Sequence, residues 1–134
     1  MRNPSTSRVL SEEELVASYL EVARKDVSDL EALVARLRED PAAWPTTRQT
    51  MYQIVHNVKG QGTSFGYPLM TRIGQSLLRL VKAADGAVAP DSRLLEAHVT
   101  ALRTILQHDI RGRGGASGEA LAEKLESLVA TALD

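Results

Sequence analysis

With 134 residues, the chain is long enough for a single domain that buries a hydrophobic core of its own. Its formal net charge of −1 argues against a general attraction to nucleic acid or to an anionic membrane, and the absence of cysteine excludes disulfides, thiol catalysis and cysteine-ligated zinc. Aromatic residues make up only 4% of a sequence rich in leucine, alanine, glutamate and arginine, a composition typical of an all-helical protein.

The amino-terminal segment carries no sign of a signal peptide. Residues 1–10 are polar and contain Pro4, and we expect them to form a disordered tail ahead of one helical domain over residues 11–134. No stretch approaches the roughly 18 apolar residues that a membrane-spanning helix needs. We therefore expect a cytoplasmic protein that binds neither membrane nor nucleic acid.

Apolar residues recur at helical spacing in segments separated by proline and glycine. The first helix begins after Ser11, which forms a capping-box pattern with Glu14, and it ends at Asp40-Pro41, since a residue before proline is pushed out of the helical region. It is either one long helix or a short helix kinked into a longer one. Its expected apolar face consists of Leu15, Tyr19, Val22, Val27, Leu30, Leu33, Val34 and Leu37.

The later helices are marked in the same way. The second, with Thr46 or Thr47 as its cap, is expected to run to about Phe65; the third begins at Pro68, and the fourth begins at Pro90-Asp91. A last helix over residues 119–133 is expected to bury Leu121, Leu125, Leu128 and Val129. The pattern predicts an all-α fold: an antiparallel up-down four-helix bundle with an additional helix or a kinked first helix.

Three features of the connections and packing faces can be interpreted. Trp44 is expected to plug one end of the bundle, with docking to a partner as the alternative. Gly74 lies on or near the packing face of the third helix, where a missing side chain would allow close helix approach. The glycine-rich residues 111–118 are interpreted as a flexible connector, because no strand precedes them and no Gly-Lys-Ser/Thr pattern of a phosphate loop follows.

The central segment, residues 51–69, carries the most informative pattern. At about 100° per residue, one helix face is apolar and consists of Met51, Val55, Val58, Gly62 and Phe65. His56 lies about 140° from that face. Its own side of the helix also carries Tyr52, Lys59, Gly60 and Thr63. An exposed imidazole with a cation one turn away is an accessible nucleophile beside a positive charge.

The other two histidines do not form a comparable pattern. His98 and His108 are ten residues apart in sequence, about 280° around a common helix, and therefore cannot share a metal ion on a straight helix. We interpret both as ordinary helix histidines and expect no metal site. No serine sits in the nucleophile elbow of a hydrolase.

At this point the sequence resembles a known family. The run from His56 through Lys59-Gly60, followed by Phe65-Gly66, is similar to the signature of histidine-containing phosphotransfer (HPt) domains, and the Phe-Gly-Tyr ending is especially similar to the phosphoacceptor domain of chemotaxis histidine kinases. The helical pattern agrees with that family over residues 11–134. The resemblance implies that His56 accepts a phosphoryl group from an aspartate of a response-regulator receiver domain, or returns it to one.

The resemblance also implies roles for the neighbours of His56. Lys59 would stabilise the phosphate, and Gly60 would leave a gap that admits the partner. Where the family often has Glu or Gln near the imidazole, this chain has Leu78, so the polar group that orients the ring is either absent or supplied by another residue. Gln53 and Gln75 are the candidates for that orienting group. The residues expected to contact the partner are Gln53, Gly60, Thr63, Leu78 and Lys82.

The expected partners are a receiver domain, a hybrid histidine kinase, or both, with the chain itself a monomer. No acidic cluster suited to Mg²⁺ is apparent, so we expect no cofactor on this chain and Mg²⁺ on the receiver. The chain has no room for an ATP-binding domain and is expected to be a phosphocarrier without kinase activity of its own. The alternatives are an HPt-like binding module that carries no phosphate, and a detached dimerisation and phosphoacceptor domain of a kinase.

Overall fold

The computed structural model describes residues 9–134. They form five α-helices: α1 (Glu12–Glu39), α2 (Trp44–Gln61), α3 (Pro68–Ala83), α4 (Ser92–Gln107) and α5 (Gly115–Ala132). Short 3₁₀ turns at Pro41–Ala43 and Thr63–Phe65 flank α2. The all-α prediction is confirmed. Most of the tail expected over residues 1–10 lies outside the described residues.

The first four helices form a ring in which each packs against two neighbours. Helix α1 contacts α2 and α4, and α3 contacts the same two helices from the opposite corner. Because consecutive helices are neighbours joined by short links, they alternate in direction, as in an up-down four-helix bundle. Helix α5 packs outside the ring against α3 and α4. Of the two expected variants, the additional helix is found, and α1 is a single helix.

The ends of α1 follow the sequence signals. Ser11 Oγ accepts a hydrogen bond from the Glu14 backbone N–H at 3.1 Å, while the Glu14 carboxylate accepts one from the Ser11 N–H at 3.2 Å, which confirms the capping box. Asp40 ends the helix before Pro41. For two residues of the expected apolar face the prediction of burial is wrong, since Leu15 is 42% exposed and Val22 is 55% exposed.

Trp44 closes one end of the bundle. It is fully buried, and its indole Nε1 donates a hydrogen bond to the Ala84 carbonyl oxygen just after α3, at 2.7 Å. This favours the plug over a docking role. The expectation that Thr46 or Thr47 caps α2 is wrong: both lie inside its first turns and donate their hydroxyl protons to the Ala43 carbonyl oxygen.

Aromatic rings secure the other end of α2. The helix ends at Gln61, four residues earlier than expected, and the following turn finishes at Gly66, whose φ of 92° suits glycine. The Tyr19 ring of α1 stacks on Phe65 and Tyr67, with centroid separations of 4.9 and 5.8 Å. The Phe-Gly-Tyr sequence therefore ties the end of α2 to α1.

The glycine-rich connection has a defined packing role beyond that of a flexible link. A Cβ on Gly118 would lie 2.5 Å from the Arg113 carbonyl oxygen and 2.9 Å from Leu69 Cδ1, so this contact between α5 and α3 requires glycine. Arg72 of α3 then donates hydrogen bonds to Glu119 and Glu126 of α5. The inward face of α5 was only partly predicted, because Leu121 and Leu128 are about two-fifths exposed. Its buried residues are Gly118, Ala122, Leu125 and Val129.

Candidate functional site: an exposed histidine on α2

His56 lies in the middle of α2 with its side chain exposed. The helix turns this residue outward because Met51, Val55 and Val58 are at most 3% exposed and fix the opposite face in the core. Its one aromatic partner in residues 9–134 is Tyr52, whose ring is nearly parallel to the imidazole at an interplanar angle of 5° and a centroid separation of 6.2 Å. Within residues 9–134 His56 forms no hydrogen bond or ion pair, so neither ring nitrogen is engaged by another side chain or by the backbone.

Lys59 follows one turn after His56 and is half-buried. Its backbone packs against α3 at Gly74, where an added Cβ would meet Lys59 Cα and N at 3.2 Å each. The part of the chain that the structure describes offers the Lys59 ammonium no carboxylate within ion-pair distance. The ammonium group is therefore available to an anion bound beside His56.

The α2 residues around His56 leave the approach to its ring open. Gly60 is exposed, and a Cβ added to it would have no heavy atom within 4 Å. Gln53 and Thr63 are also exposed, on the side of the helix that carries His56. The Thr63 backbone N–H donates to Thr71 Oγ1 at 2.9 Å, which joins the end of α2 to α3. The structure thus brings Gln53, Gly60 and Thr63 together with His56 and Lys59.

Helix α3 runs antiparallel beside this face. Gly62 meets Met70 and Lys59 meets Gly74, so the level of His56 on α3 corresponds to one turn beyond Gly74, at residues 77–78. Leu78 is there, as expected, but it is only 4% exposed and belongs to the hydrophobic core. A receiver cannot contact a side chain that is covered in this way. The expectation that Leu78 contacts the partner is therefore wrong, and Leu78 packs in the core.

Two other α3 residues remain available to a partner. Gln75 and Lys82 are exposed, and Gln75 directly follows the glycine that packs on Lys59. Neither Gln75 nor Gln53 donates a hydrogen bond to His56 in residues 9–134. The polar group that was expected to orient the ring is therefore not supplied by either glutamine in this conformation.

The stack of Tyr52 on His56 was not predicted, although both residues were placed on the same side of α2. Their i, i+4 spacing is the signal that could have revealed it, because side chains at this spacing are neighbours on a helix surface. The contact of Gly74 with Lys59 in particular was also missed. A helix-spacing argument identifies a packing glycine but not the residue on the facing helix.

The remaining histidines are placed very differently from His56. His98 is fully buried, where its Nδ1–H donates to the Leu94 carbonyl oxygen and its Nε2 accepts from the Ser76 hydroxyl, each at 2.8 Å. Burial lowers the pKa of the His98 imidazole, and the hydrogen bond to Leu94 offsets this only in part. His108 is exposed at the end of α4. In residues 9–134 no three His, Asp or Glu side chains are grouped as metal ligands.

The site can act as a nucleophile or as a docking face. A neutral imidazole has a free lone pair, and an exposed one is reachable by a large partner. Across the described range, no helix is long and apolar enough to cross a membrane.

Comparison with known proteins agrees with this geometry. The family model of the Hpt domain matches residues 14–131, which include all five helices almost completely. Neither the curated proteins nor the solved structures gave a match to the chain. The family match covers most of the sequence and includes the exposed histidine with its neighbouring lysine and glycine. The chain therefore belongs to the Hpt domain family, whose members carry phosphoryl groups on histidine.

Proposed function

We propose that this protein is a phosphorelay intermediate that carries a phosphoryl group on His56, exchanging it with an aspartate of a receiver domain. The observation that carries the proposal is the exposed His56 ring, free of hydrogen bonds in residues 9–134, with Lys59 one turn away and the bare Gly60 beside it. These features lie within the region that matches the Hpt domain.

The proposed step is an in-line displacement at phosphorus. The lone pair of a neutral His56 ring nitrogen forms the N–P bond, the acyl-phosphate P–O bond breaks, and the aspartate carboxylate leaves with the electron pair. The ring keeps the proton on its other nitrogen and becomes a phosphoimidazolium, which then loses that proton to solvent. The reverse reaction returns the phosphoryl group to a receiver aspartate.

In this proposal Lys59 and the receiver both stabilise the negative charge of the phosphoryl group. The Lys59 ammonium would stabilise the negative charge on the phosphoryl oxygens both during transfer and while the group resides on His56. The described residues offer no group of three metal ligands, so we propose that the receiver supplies the Mg²⁺ that this chemistry requires. In this proposal the chain is a phosphocarrier and does not phosphorylate itself from ATP. We also propose that it acts in the cytoplasm, as a monomer.

The direct test uses a receiver domain that has been labelled on its aspartate with radioactive acetyl phosphate and freed of the donor. Label that moves to the chain and is lost in acid but kept in base supports phosphohistidine. Transfer should disappear in His56→Gln and persist in His108→Gln, a matched control with an exposed histidine elsewhere in the fold. Label retained by His56→Gln would contradict the assignment.

A second candidate function is a binding module that regulates a receiver or kinase without carrying phosphate. The specific observation in its favour is the apolar Leu78 at the level of His56, together with the absence of a hydrogen bond to the ring from residues 9–134. The same experiment separates the two functions. A receiver that binds the chain, but never labels His56 while its own phosphate is lost, would favour the binding module.

A further inference from the structure

Tyr52 is the only aromatic, hydrogen-bonding or charged partner of the His56 imidazole in residues 9–134. The two rings are nearly parallel, at 5°, with their centroids 6.2 Å apart. We propose that Tyr52 is the positioning residue of His56: the offset contact between the two near-parallel rings restricts the imidazole, in place of a hydrogen bond from a polar neighbour. This inference rests on the proposed function, since it concerns how the same histidine reacts.

Tyr52 is suited to this role because its own ring is held in place. It is half-buried and packs against the hydrophobic core, whereas His56 one turn later is exposed. A side chain that is fixed on one side and stacked on the other restricts the rotamers of an otherwise mobile neighbour. Ring pairs at centroid separations of about 4.5–7 Å are favourable when they are offset.

Stacking differs from hydrogen bonding in what it leaves open. A glutamate or glutamine would occupy one ring nitrogen, but the offset, near-parallel Tyr52 ring makes no hydrogen bond to either nitrogen of His56. Leu78 is buried in the core, and neither Gln53 nor Gln75 reaches the ring with a hydrogen bond. The orientation of the nucleophile is therefore set by Tyr52.

The consequence for transfer is a rate effect through orientation. In-line attack on phosphorus requires the ring nitrogen to point along the axis of the breaking bond. If the stack raises the population of a productive rotamer, its loss should slow phosphorylation of His56 by about two- to tenfold, the range that corresponds to one aromatic pair. The change should appear in the rate of the chemical step rather than in receiver binding.

The first measurement is spectroscopic and needs no receiver. In the wild-type protein, proton NMR signals of the His56 ring should be displaced by the ring current of Tyr52. Tyr52→Phe should keep the displacement, and Tyr52→Leu should abolish it, with His108 as an internal reference that does not change. Equal His56 shifts in all three proteins would overturn the proposal, because the rings would then not be stacked in solution.

The second measurement follows phosphorylation of His56 by phosphoramidate, a small donor that requires no docking surface. The donor P–N bond breaks, ammonia leaves after taking up a proton, and a new N–P bond forms on the imidazole. We expect Tyr52→Leu to react about two- to tenfold more slowly, and Tyr52→Phe to react within about twofold of wild type. A wild-type rate in Tyr52→Leu overturns the proposal, as does a Tyr52→Phe rate as low as that of Tyr52→Leu.

Folding and the proposed function are controlled separately. Circular dichroism establishes that each variant is helical, and Tyr52→Met, which fills the half-buried space with a flexible apolar chain, replaces Tyr52→Leu if the latter unfolds. If no receiver exchanges phosphate with the wild-type protein, the proposed function fails, yet the ring-current and phosphoramidate results still decide the role of Tyr52. If receivers do transfer but the variants match wild type in both measurements, only the role of Tyr52 is refuted.

Discussion

Gly74 of α3 lies directly against the backbone of Lys59 on α2. A Cβ at Gly74 would be 3.2 Å from the Lys59 Cα and 3.3 Å from its Cβ, distances at which one of the two helices has to yield. Lys59, which faces the phosphoryl group in the proposed reaction, is thus positioned by a glycine on the neighbouring helix. The close approach of α2 and α3 is part of the site.

We predict that Gly74→Ala lowers the free energy of unfolding by about 1 kcal/mol. The substitution gains about 0.5–1 kcal/mol of helix propensity, but it inserts a methyl group against backbone, and such overpacking costs about 1–3 kcal/mol. Gly60→Ala is the matched control, because its Cβ meets nothing within 4 Å. Gly60→Ala should therefore be stabilising by about 0.5–1 kcal/mol. Urea unfolding followed by Trp44 fluorescence measures both, and equal gains in the two variants would contradict the close contact.

Gly60→Glu tests whether the exposed face around His56 is the docking surface. Because space around Gly60 is open, the longer side chain should leave the bundle folded, with a helical signal equal to that of wild type. Its bulk and negative charge, next to the incoming phosphoryl group, should slow transfer from a receiver by tenfold or more, on the order of 1.4 kcal/mol. Gly60→Ala should transfer normally. Unchanged transfer in Gly60→Glu would place the receiver elsewhere.

Lys59→Met tests the positive charge without disturbing the contact with Gly74. Methionine keeps an unbranched apolar stem at a half-buried position and removes the ammonium. Since a partly exposed cation is screened by solvent, we expect transfer to slow by about three- to tenfold, with unfolding unchanged. Lys59→Arg should retain most of the rate. A loss of stability in Lys59→Met with normal transfer would mean that Lys59 has a structural role alone.

The fold could be predicted because the helical spacing of apolar residues and the positions of proline and glycine indicate the same helices. The apolar stripe of α2 determined that His56 is exposed, and Pro41 and Gly66 mark breaks that the structure also has. The errors in predicted burial occur at the edges of the helix faces that pack against other helices. Leu15 and Leu121 satisfy the helical spacing but lie at the margins of their packing faces, so their exposure depends on neighbours that spacing does not reveal.

The candidate site was predicted residue by residue but not as a set of contacts. Exposure of His56 and Gly60 follows from one helix alone, whereas burial of Leu78 and the contact between Gly74 and Lys59 depend on how α3 is seated against α2. The register of two packed helices is set by side-chain volume over their whole length. A single sequence does not report that register, and so the partner role expected for Leu78 was wrong.

His98 predicts a dependence of stability on pH. Its pKa is lowered by burial in the folded state and returns to about 6.5 in the unfolded chain. Between these two values the unfolded chain binds a proton that the folded protein does not, so the free energy of unfolding falls as the pH falls through 6.5 and levels off below the folded pKa. The slope in that window should not exceed about 1.4 kcal/mol per pH unit.

Urea unfolding of wild type and His98→Gln between about pH 5.5 and 8 checks this prediction; the carboxylates whose pKa is lowered, at Asp91, Asp109 and Glu126, titrate below that range. His98→Gln should be less stable at every pH, because glutamine does not reproduce both hydrogen bonds of His98, but its stability should change less with pH. His108→Gln, which alters an exposed histidine at the end of the same helix, should keep the wild-type slope. If His98→Gln keeps that slope as well, another group must titrate, and the hydrogen bonds of His98 to Ser76 and Leu94 would serve only to join α3 and α4.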